Sequence, residues 1–171
     1  MRAELETDFE GFVAAMSDRL FRTAYAITRD HQLAEDAVQS ALASAYSKWR
    51  RVSRTEHPEA YVRRMVVNEV LSWRRRRSFS ERPMGDTPDR VGDASPEERI
   101  VETDAVWGAL SQLPPRQRAV IVLRYYEHLS EIEIADALGV RPGTVKSQCS
   151  AALTNLRRLL EPATATKGER A

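Results

Sequence analysis

Apolar residues recur at helical spacing in three stretches of the first half of the chain. The stretches cover residues 8–28, 32–49 and 58–77, and each places its apolar residues on one face of a helix. Pro58 suits the first turn of the third helix, because the first N–H groups of a helix have no partner inside it. The pattern predicts an all-α bundle.

The helical pattern stops over residues 78–96, where three prolines and two glycines stand among mostly polar or acidic residues. Helical patterns resume near Pro96, break at Leu113-Pro114-Pro115 and continue from Arg116 to Tyr126. We therefore expect two small helical domains, residues 1–77 and 97–161, joined by a flexible acidic linker at 78–96. The small polar residues of 162–171 are typical of a disordered tail.

A helix-turn-helix is predicted between Leu129 and Leu160. Ser130 and Glu133 have the spacing of a capping box, in which each side chain hydrogen-bonds the backbone N–H of the other residue. Gly139 can adopt the left-handed conformation that ends a helix and turns the chain. The second helix then begins at Pro142 and runs to about Leu160.

This second helix has an apolar and a polar face. Its predicted core face consists of Val145, Cys149, Ala152, Leu156 and Leu160. The opposite face and its flanks carry Gly143, Thr144, Lys146, Ser147, Ser150, Ala151 and Thr154. Such a small polar face can enter a DNA major groove, about 12 Å wide. An ordinary surface helix is the alternative interpretation, and the combination of capping box, Gly139 and Pro142 favours DNA binding over it.

The charge distribution is consistent with two modules that contact phosphate and a connection that does not. The chain has a net charge of +1, but residues 1–77 hold 14 basic against 11 acidic side chains, residues 78–104 hold 3 against 8, and residues 105–171 hold 9 against 6. Two mildly basic segments thus flank an acidic one.

Several classes of protein are disfavoured by the sequence. No apolar run approaches the roughly 20 residues of a membrane span, and the acidic N-terminus is unlike a signal peptide. We therefore expect a cytoplasmic protein without membrane association. A single cysteine and three scattered histidines give no disulfide framework or metal-ligand spacing. The motifs of nucleophilic, phosphate-binding and metal enzymes are absent, so neither catalysis nor a cofactor is expected.

The segment LSQLPPRQRAVIVLRYYEHLSEIEIADALGVRPGTVKS resembles region 4 of the extracytoplasmic-function sigma factors, the smallest members of the sigma-70 family. In the N-terminal half, AEDAVQSALASAYSKW is similar to region 2.2 of that family. HPEAYVRRMVVNEVLSWRRRR is similar to regions 2.3–2.4, which read the −10 promoter element. The region 2-like and region 4-like segments occur in the same order along this chain as in the family. They imply a subunit that binds core RNA polymerase and directs it to promoters.

The resemblance implies roles for three groups of residues. The surface that docks on the clamp helices of the largest polymerase subunit corresponds to Glu35, Asp36 and Gln39. Contacts to the −10 element correspond to Tyr61, Arg63, Arg64, Asn68, Arg74 and Arg75, with the arginines on an exposed basic strip of the third helix. Contacts to the −35 element correspond to Arg141, Gly143, Thr144, Lys146, Ser147 and Ser150. The expected partners are core polymerase, promoter DNA and an anti-sigma factor, and the free protein is expected to be a monomer.

Two departures from the family pattern concern these surfaces. Ser40 stands where the family usually has an acidic residue, and Gln148, Ser150 and Ala151 occupy a stretch that often carries arginines. A stand-alone helix-turn-helix regulator of the response-regulator type is the alternative function. Such a regulator would not need the region 2-like helices. The linker is expected either to thread through the polymerase or to be an inert tether.

Overall fold

The structure is a computed structural model that describes residues 1–80 and 101–161, with the side chains of 74–80 and 101–104 outside the described part. The described residues are helical and contain no strand, which confirms the predicted all-α class. Most of the predicted linker, the helix start near Pro96 and the predicted tail lie outside the described residues.

The N-terminal half contains four helices: α1 (Arg2–Thr28), α2 (His31–Ser47), α3 (Trp49–Val52) and α4 (Pro58–Ser80). The first helix begins six residues before the predicted start at Asp8. Contacts with the end of α2 and with α3 accompany this earlier start. Glu6 accepts a hydrogen bond of 3.4 Å from the Tyr46 hydroxyl, and Asp8 accepts one of 3.0 Å from the Trp49 indole. Trp49 itself opens the one-turn helix α3 instead of ending α2.

The turn between α1 and α2 is made by two residues. Arg29 adopts a left-handed conformation with φ of 57°, which ends α1. The side chain of Asp30 then accepts a hydrogen bond of 2.9 Å from the N–H of Leu33 and caps the N-terminus of α2. The chain therefore reverses direction over two residues, and α1 and α2 pack side by side.

Small residues on α2 bring three helices close together. Ala34, Ala37, Ala41 and Ala45 recur along one face and are fully buried. Their short side chains allow the helix axes to approach closely, while larger residues of α1 and α4 fill the remaining core: Leu20, Ile27, Val62, Val66 and Val70. The predicted apolar faces of the three long helices thus form one core.

The C-terminal half contains α5 (Val101–Gln112), α6 (Pro115–Ile121), a π-helix (Val122–Tyr126), α7 (Glu131–Leu138) and α8 (Pro142–Leu160). The single helix predicted from Arg116 to Tyr126 is therefore an α-helix followed by a π-helical turn. In this turn the Glu127 N–H donates a hydrogen bond of 3.0 Å to the Val122 carbonyl, five residues earlier. Short π-helical turns occur often at functional sites in proteins.

The two halves pack directly against each other. Helix α1 contacts α6 and the π-helix, and α4 contacts α7. The guanidinium of Arg118, buried in the C-terminal half, donates hydrogen bonds to the carbonyls of Leu110, Ser111 and Leu113 and also to that of Ile27 in α1. The sequence analysis predicted two linked modules but gave no sign that they share an interface.

Candidate DNA and polymerase interfaces

The capping box predicted at the start of the helix-turn-helix is present. The Ser130 hydroxyl accepts a hydrogen bond of 3.2 Å from the Glu133 N–H, and the Glu133 carboxylate accepts one of 2.7 Å from the Ser130 N–H. The second bond is the main reason why the pKa of Glu133 lies below its ordinary value, and the hydrogen bond with the Ser130 side chain acts in the same direction. Both interactions fix where α7 begins.

The turn between α7 and α8 depends on Gly139. This residue has a φ of 64°, the left-handed conformation predicted for it, and ends α7. The Val140 N–H then bonds the Ala135 carbonyl at 3.0 Å, and α8 starts at Pro142. Local sequence therefore determines the angle at which α8 leaves the turn.

The two predicted faces of α8 are present, with one correction. Val145, Cys149 and Ala152 are buried, and Leu156 is half-buried. Leu160, predicted to be core, is 41% exposed, because the last turn of α8 packs against the core through Leu159 instead. All six residues predicted to contact the −35 element are exposed: Arg141, Gly143, Thr144, Lys146, Ser147 and Ser150.

The residues predicted to dock on polymerase lie together on α2. Glu35, Asp36 and Gln39 are exposed or half-buried and stand away from the buried alanines of this helix. Asp36 accepts a hydrogen bond of 3.0 Å from Gln32, and Glu35 lies 3.7 Å from the ring of His31. These contacts hold the two carboxylates near the start of α2, so the structure brings the three predicted residues to one acidic surface.

The predicted −10 residues are divided between two environments. Arg64 and Asn68 are exposed one turn apart, and Tyr61 is half-buried a turn before them. Arg63 is buried, in register with Val67 and Val70, and faces the C-terminal half. It therefore does not belong to an exposed basic strip, as the sequence analysis expected. Arg74 and Arg75 lie within α4, and their side chains are outside the described part.

A buried cluster of charged groups lies between the halves, and the sequence analysis did not predict it. The Glu127 carboxylate follows the π-helix and is 1% exposed. It accepts hydrogen bonds from Arg19 at 3.0 and 3.2 Å and from the Thr23 hydroxyl, and it lies 3.4 Å from the Arg63 guanidinium. We refer to Arg19, Thr23, Arg63 and Glu127 as the Glu127 cluster. Its members are up to 108 residues apart, so no local pattern could reveal it.

The C-terminal half also presents an apolar groove that the sequence analysis missed. It has a volume of about 520 Å³ and is lined by residues of α5, α6, the π-helix and α8, among them Trp107, Tyr125, Tyr126 and Leu153. Tyr125 and Tyr126 are exposed, although both belong to an apolar segment. Accessible apolar surfaces of this kind often bind other molecules.

Two family models match the chain. The sigma-70 region 2 model covers residues 12–80, and the sigma-70 region 4 model covers residues 103–156. Together they span most of the chain, in the order that the sequence resemblance implied. The chain belongs to the sigma-70 family. It is a sigma factor, and sigma factors direct promoter-specific initiation of transcription.

Similar proteins place the chain within the extracytoplasmic-function group of this family. The RNA polymerase sigma-E factor of Streptomyces antibioticus is 38% identical over 155 residues, covering 90% of this chain and 85% of that protein. The ECF RNA polymerase sigma factor SigL of Mycobacterium tuberculosis is 35% identical over 152 residues, covering 83% and 82%. The alternative of a stand-alone regulator is not favoured, because these matches include both halves.

Two solved structures share the fold. The sigma factor RpoE of Bartonella quintana, crystallised with the anti-sigma factor NepR, superposes with a TM-score of 0.75 and 25% identity, covering 91% of this chain and 98% of that one. CnrH, solved with the cytosolic domain of CnrY, superposes with a TM-score of 0.62 at 22% identity, covering 91% and 89%. Among the described residues of this sigma factor, no helix is both long and apolar enough to span a membrane, and no His, Cys, Asp and Glu side chains group as a metal site.

Proposed function

We propose that the two halves of this sigma factor read the two promoter elements, with α8 of the helix-turn-helix in the major groove of the −35 element. The exposed polar face of α8 carries this proposal, since six predicted contact residues are accessible there while Val145 and Cys149 anchor the opposite face in the core. Lys146 and Arg141 would grip phosphates, and the small polar residues between them would let the helix approach the base edges.

Helix α4 would contact the −10 element in the opened promoter. Arg64 and Asn68 are exposed on one face, and Tyr61 stands one turn away. The arginine suits phosphate, the amide can hydrogen-bond a base edge, and a tyrosine ring can stack on an unpaired base. Arg63, Arg74 and Arg75 are part of the same proposal. Arg63 becomes available only if its contact with Glu127 is broken.

The acidic surface of α2 would dock on core polymerase. Glu35, Asp36 and Gln39 point away from the core of the N-terminal half, and contacts along the same helix hold Glu35 and Asp36 in place. Carboxylates in this position suit a basic or polar partner surface, and attraction between opposite charges speeds association. Ser40 reduces the negative charge of this surface relative to the usual family pattern.

The remaining proposals concern organisation and partners. We assign residues 1–77 to the polymerase and −10 module, 78–96 to the linker, 97–161 to the −35 module and 162–171 to a tail. The protein would act in the cytoplasm as a free monomer or as part of the polymerase, with no catalytic activity or cofactor of its own. An anti-sigma factor is proposed as a further partner, since the similar sigma factor RpoE of Bartonella quintana is solved in complex with the anti-sigma factor NepR.

The assignment of α8 can be tested by promoter binding with reconstituted holoenzyme. Thr144→Ala together with Ser147→Ala, which leaves the phosphate-gripping Lys146 in place, should weaken binding to a promoter about tenfold and should have little effect on the same DNA with a scrambled −35 element. Arg157→Ala with Arg158→Ala serves as the control, because these arginines are exposed at the far end of the same helix. Equal losses on both DNAs would contradict base-element reading by α8.

A further inference from the structure

The Glu127 cluster connects the C-terminal half to two different helices of the N-terminal half. Arg19 and Thr23 lie on α1, Arg63 lies on α4, and Glu127 follows the π-helix. Both carboxylate oxygens are used, since Oε1 faces the Thr23 hydroxyl and Oε2 faces the two guanidinium groups. A single side chain of one half is thus held by three side chains of the other.

Burial makes this contact sensitive to the charge of Glu127. The side chain is 1% exposed, that of Arg63 is 11% exposed, and that of Arg19 is 51% exposed. Burying an ionised carboxylate is favourable only if it remains paired and hydrogen-bonded. If the carboxylate is lost, Arg63 stays buried without its acidic partner unless the halves separate and water reaches it.

Closure of the halves restricts access to the proposed −10 helix. Arg63 is buried in the contact, and Arg64 of the next position donates a hydrogen bond of 2.8 Å to Asp136 on α7. Helix α7, the first helix of the helix-turn-helix, packs along α4. Of the four arginines proposed to meet the −10 DNA, the two whose side chains are described therefore pair with acidic residues of the same chain.

A further contact between the halves lies at the end of α1. The Arg29 guanidinium lies 5.1 Å from the Tyr25 ring and 5.2 Å from the ring of Trp107 in α5. Arg29 and His128, the residue after Glu127, both have the left-handed backbone that side chains other than glycine rarely adopt. Such conformations are retained when the surrounding structure stabilises them. Arg29 contacts Trp107 of the other half, and His128 directly follows Glu127.

We propose that Glu127 is a latch that holds the free sigma factor in a closed, self-inhibited state, in which Glu127 and Asp136 of the C-terminal half pair with Arg63 and Arg64 of α4. Opening then requires that the Arg19 and Arg63 pairs with Glu127 be broken. This inference rests on the proposed −10 role of α4, although the closed state itself can be measured without DNA.

The conformational test uses the full chain with spin labels at Ala43→Cys on α2 and Ala151→Cys on α8, both exposed positions, in a Cys149→Ala background. Glu127→Gln should lengthen the distance between the labels, because the glutamine side chain is neutral and its amide N–H₂ is a donor that cannot pair with two guanidinium donors. A second variant, Arg19→Gln, removes a pair from the half-exposed side of the cluster and is less able to disturb the fold.

Glu161→Gln is the matched control, since it makes the same change of charge at an exposed residue at the end of α8. Unchanged distances in both Glu127→Gln and Arg19→Gln would overturn the latch. An increase in distance in either variant, with helical content as in the parent and no change in Glu161→Gln, would support it.

The functional test measures binding of the free protein, without polymerase, to a pool of short single-stranded DNA of random sequence. We expect Glu127→Gln to bind this DNA at least about tenfold more tightly than Glu161→Gln. The two variants have the same net charge, so the difference does not come from the loss of a negative charge. Opening without this gain in DNA affinity would overturn self-inhibition. Transcription with core polymerase is measured in a separate assay. If the parent protein does not direct transcription from promoters, the proposed function is refuted, while the distance measurements remain valid.

Discussion

The guanidinium of Arg118 donates a hydrogen bond of 2.9 Å to the carbonyl of Ile27, near the end of α1. The same guanidinium donates to the Leu110, Ser111 and Leu113 carbonyls, and thereby satisfies acceptors at the C-terminal end of α5. One buried side chain therefore ends a helix in its own half and contacts the other half.

Arg118→Ala should lower the free energy of unfolding by about 3 kcal/mol, because it leaves several buried carbonyls without their charged donor. Urea unfolding followed by circular dichroism measures the change. Arg116→Ala is the control, since Arg116 is exposed two residues away, and it should alter stability by less than about 0.5 kcal/mol. Equal effects of the two substitutions would contradict the role given to Arg118.

The turn of the helix-turn-helix offers a matched pair of glycines. A Cβ atom would meet no neighbour within 4 Å at either Gly139 or Gly143, and Gly139 has a φ of +64°. Gly139→Ala should therefore cost about 1 kcal/mol through backbone strain alone, whereas Gly143→Ala, inside α8, should be neutral or slightly stabilising. Thermal unfolding of both variants measures the two changes in stability. Equal destabilisation would contradict backbone strain at position 139 as the cause.

The capping box predicts a specific dependence of stability on pH. The pKa of Glu133 is lowered in the folded protein, so the ionised carboxylate stabilises the fold above its unfolded pKa near 4.5, and this contribution is lost as the pH falls through the lowered folded value. Thermal unfolding of wild type and Glu133→Gln should therefore differ most at neutral pH and converge in acid. Melting temperatures that stay parallel from pH 7 to about pH 3 would refute the prediction.

The outcome of the sequence analysis depends on how local each feature is. Ser130, Glu133 and Gly139 are confirmed in their predicted roles, because a capping box and a left-handed helix end involve residues only a few positions apart. The burial of Cys149 follows from helical spacing in the same way.

Features that depend on distant parts of the chain were missed. A helical wheel shows which side of α4 Arg63 occupies, but it cannot show that Glu127 of the other half lies on that side. The splitting of the helix after Ile121 into a π-helix likewise accompanies the placement of Glu127 against α1, which the apolar spacing does not encode. The predicted burial of Leu160 was wrong, because helical spacing alone does not show that Leu159 is the residue of the last turn that packs against the core.

The end of α4 provides a test of the proposed −10 module. Arg74→Ala with Arg75→Ala should reduce formation of open promoter complexes by holoenzyme about tenfold or more, and should also lower the dependence on salt concentration, because fewer phosphate contacts are made. Permanganate reactivity of unpaired thymines measures opening. The pair Arg50→Ala with Arg51→Ala, exposed on α3, is the control. Unchanged opening in Arg74→Ala/Arg75→Ala would show that these arginines do not contribute to promoter opening.

The promoter-directing function is tested most directly by adding the purified chain to sigma-free core polymerase with a library of promoter DNA and sequencing the transcripts. We expect start sites that core polymerase alone does not use, downstream of sequences that share a −35 and a −10 element at fixed spacing. If no new start sites appear, and the chain neither binds core polymerase nor changes the DNA that it selects, the promoter-directing function is contradicted.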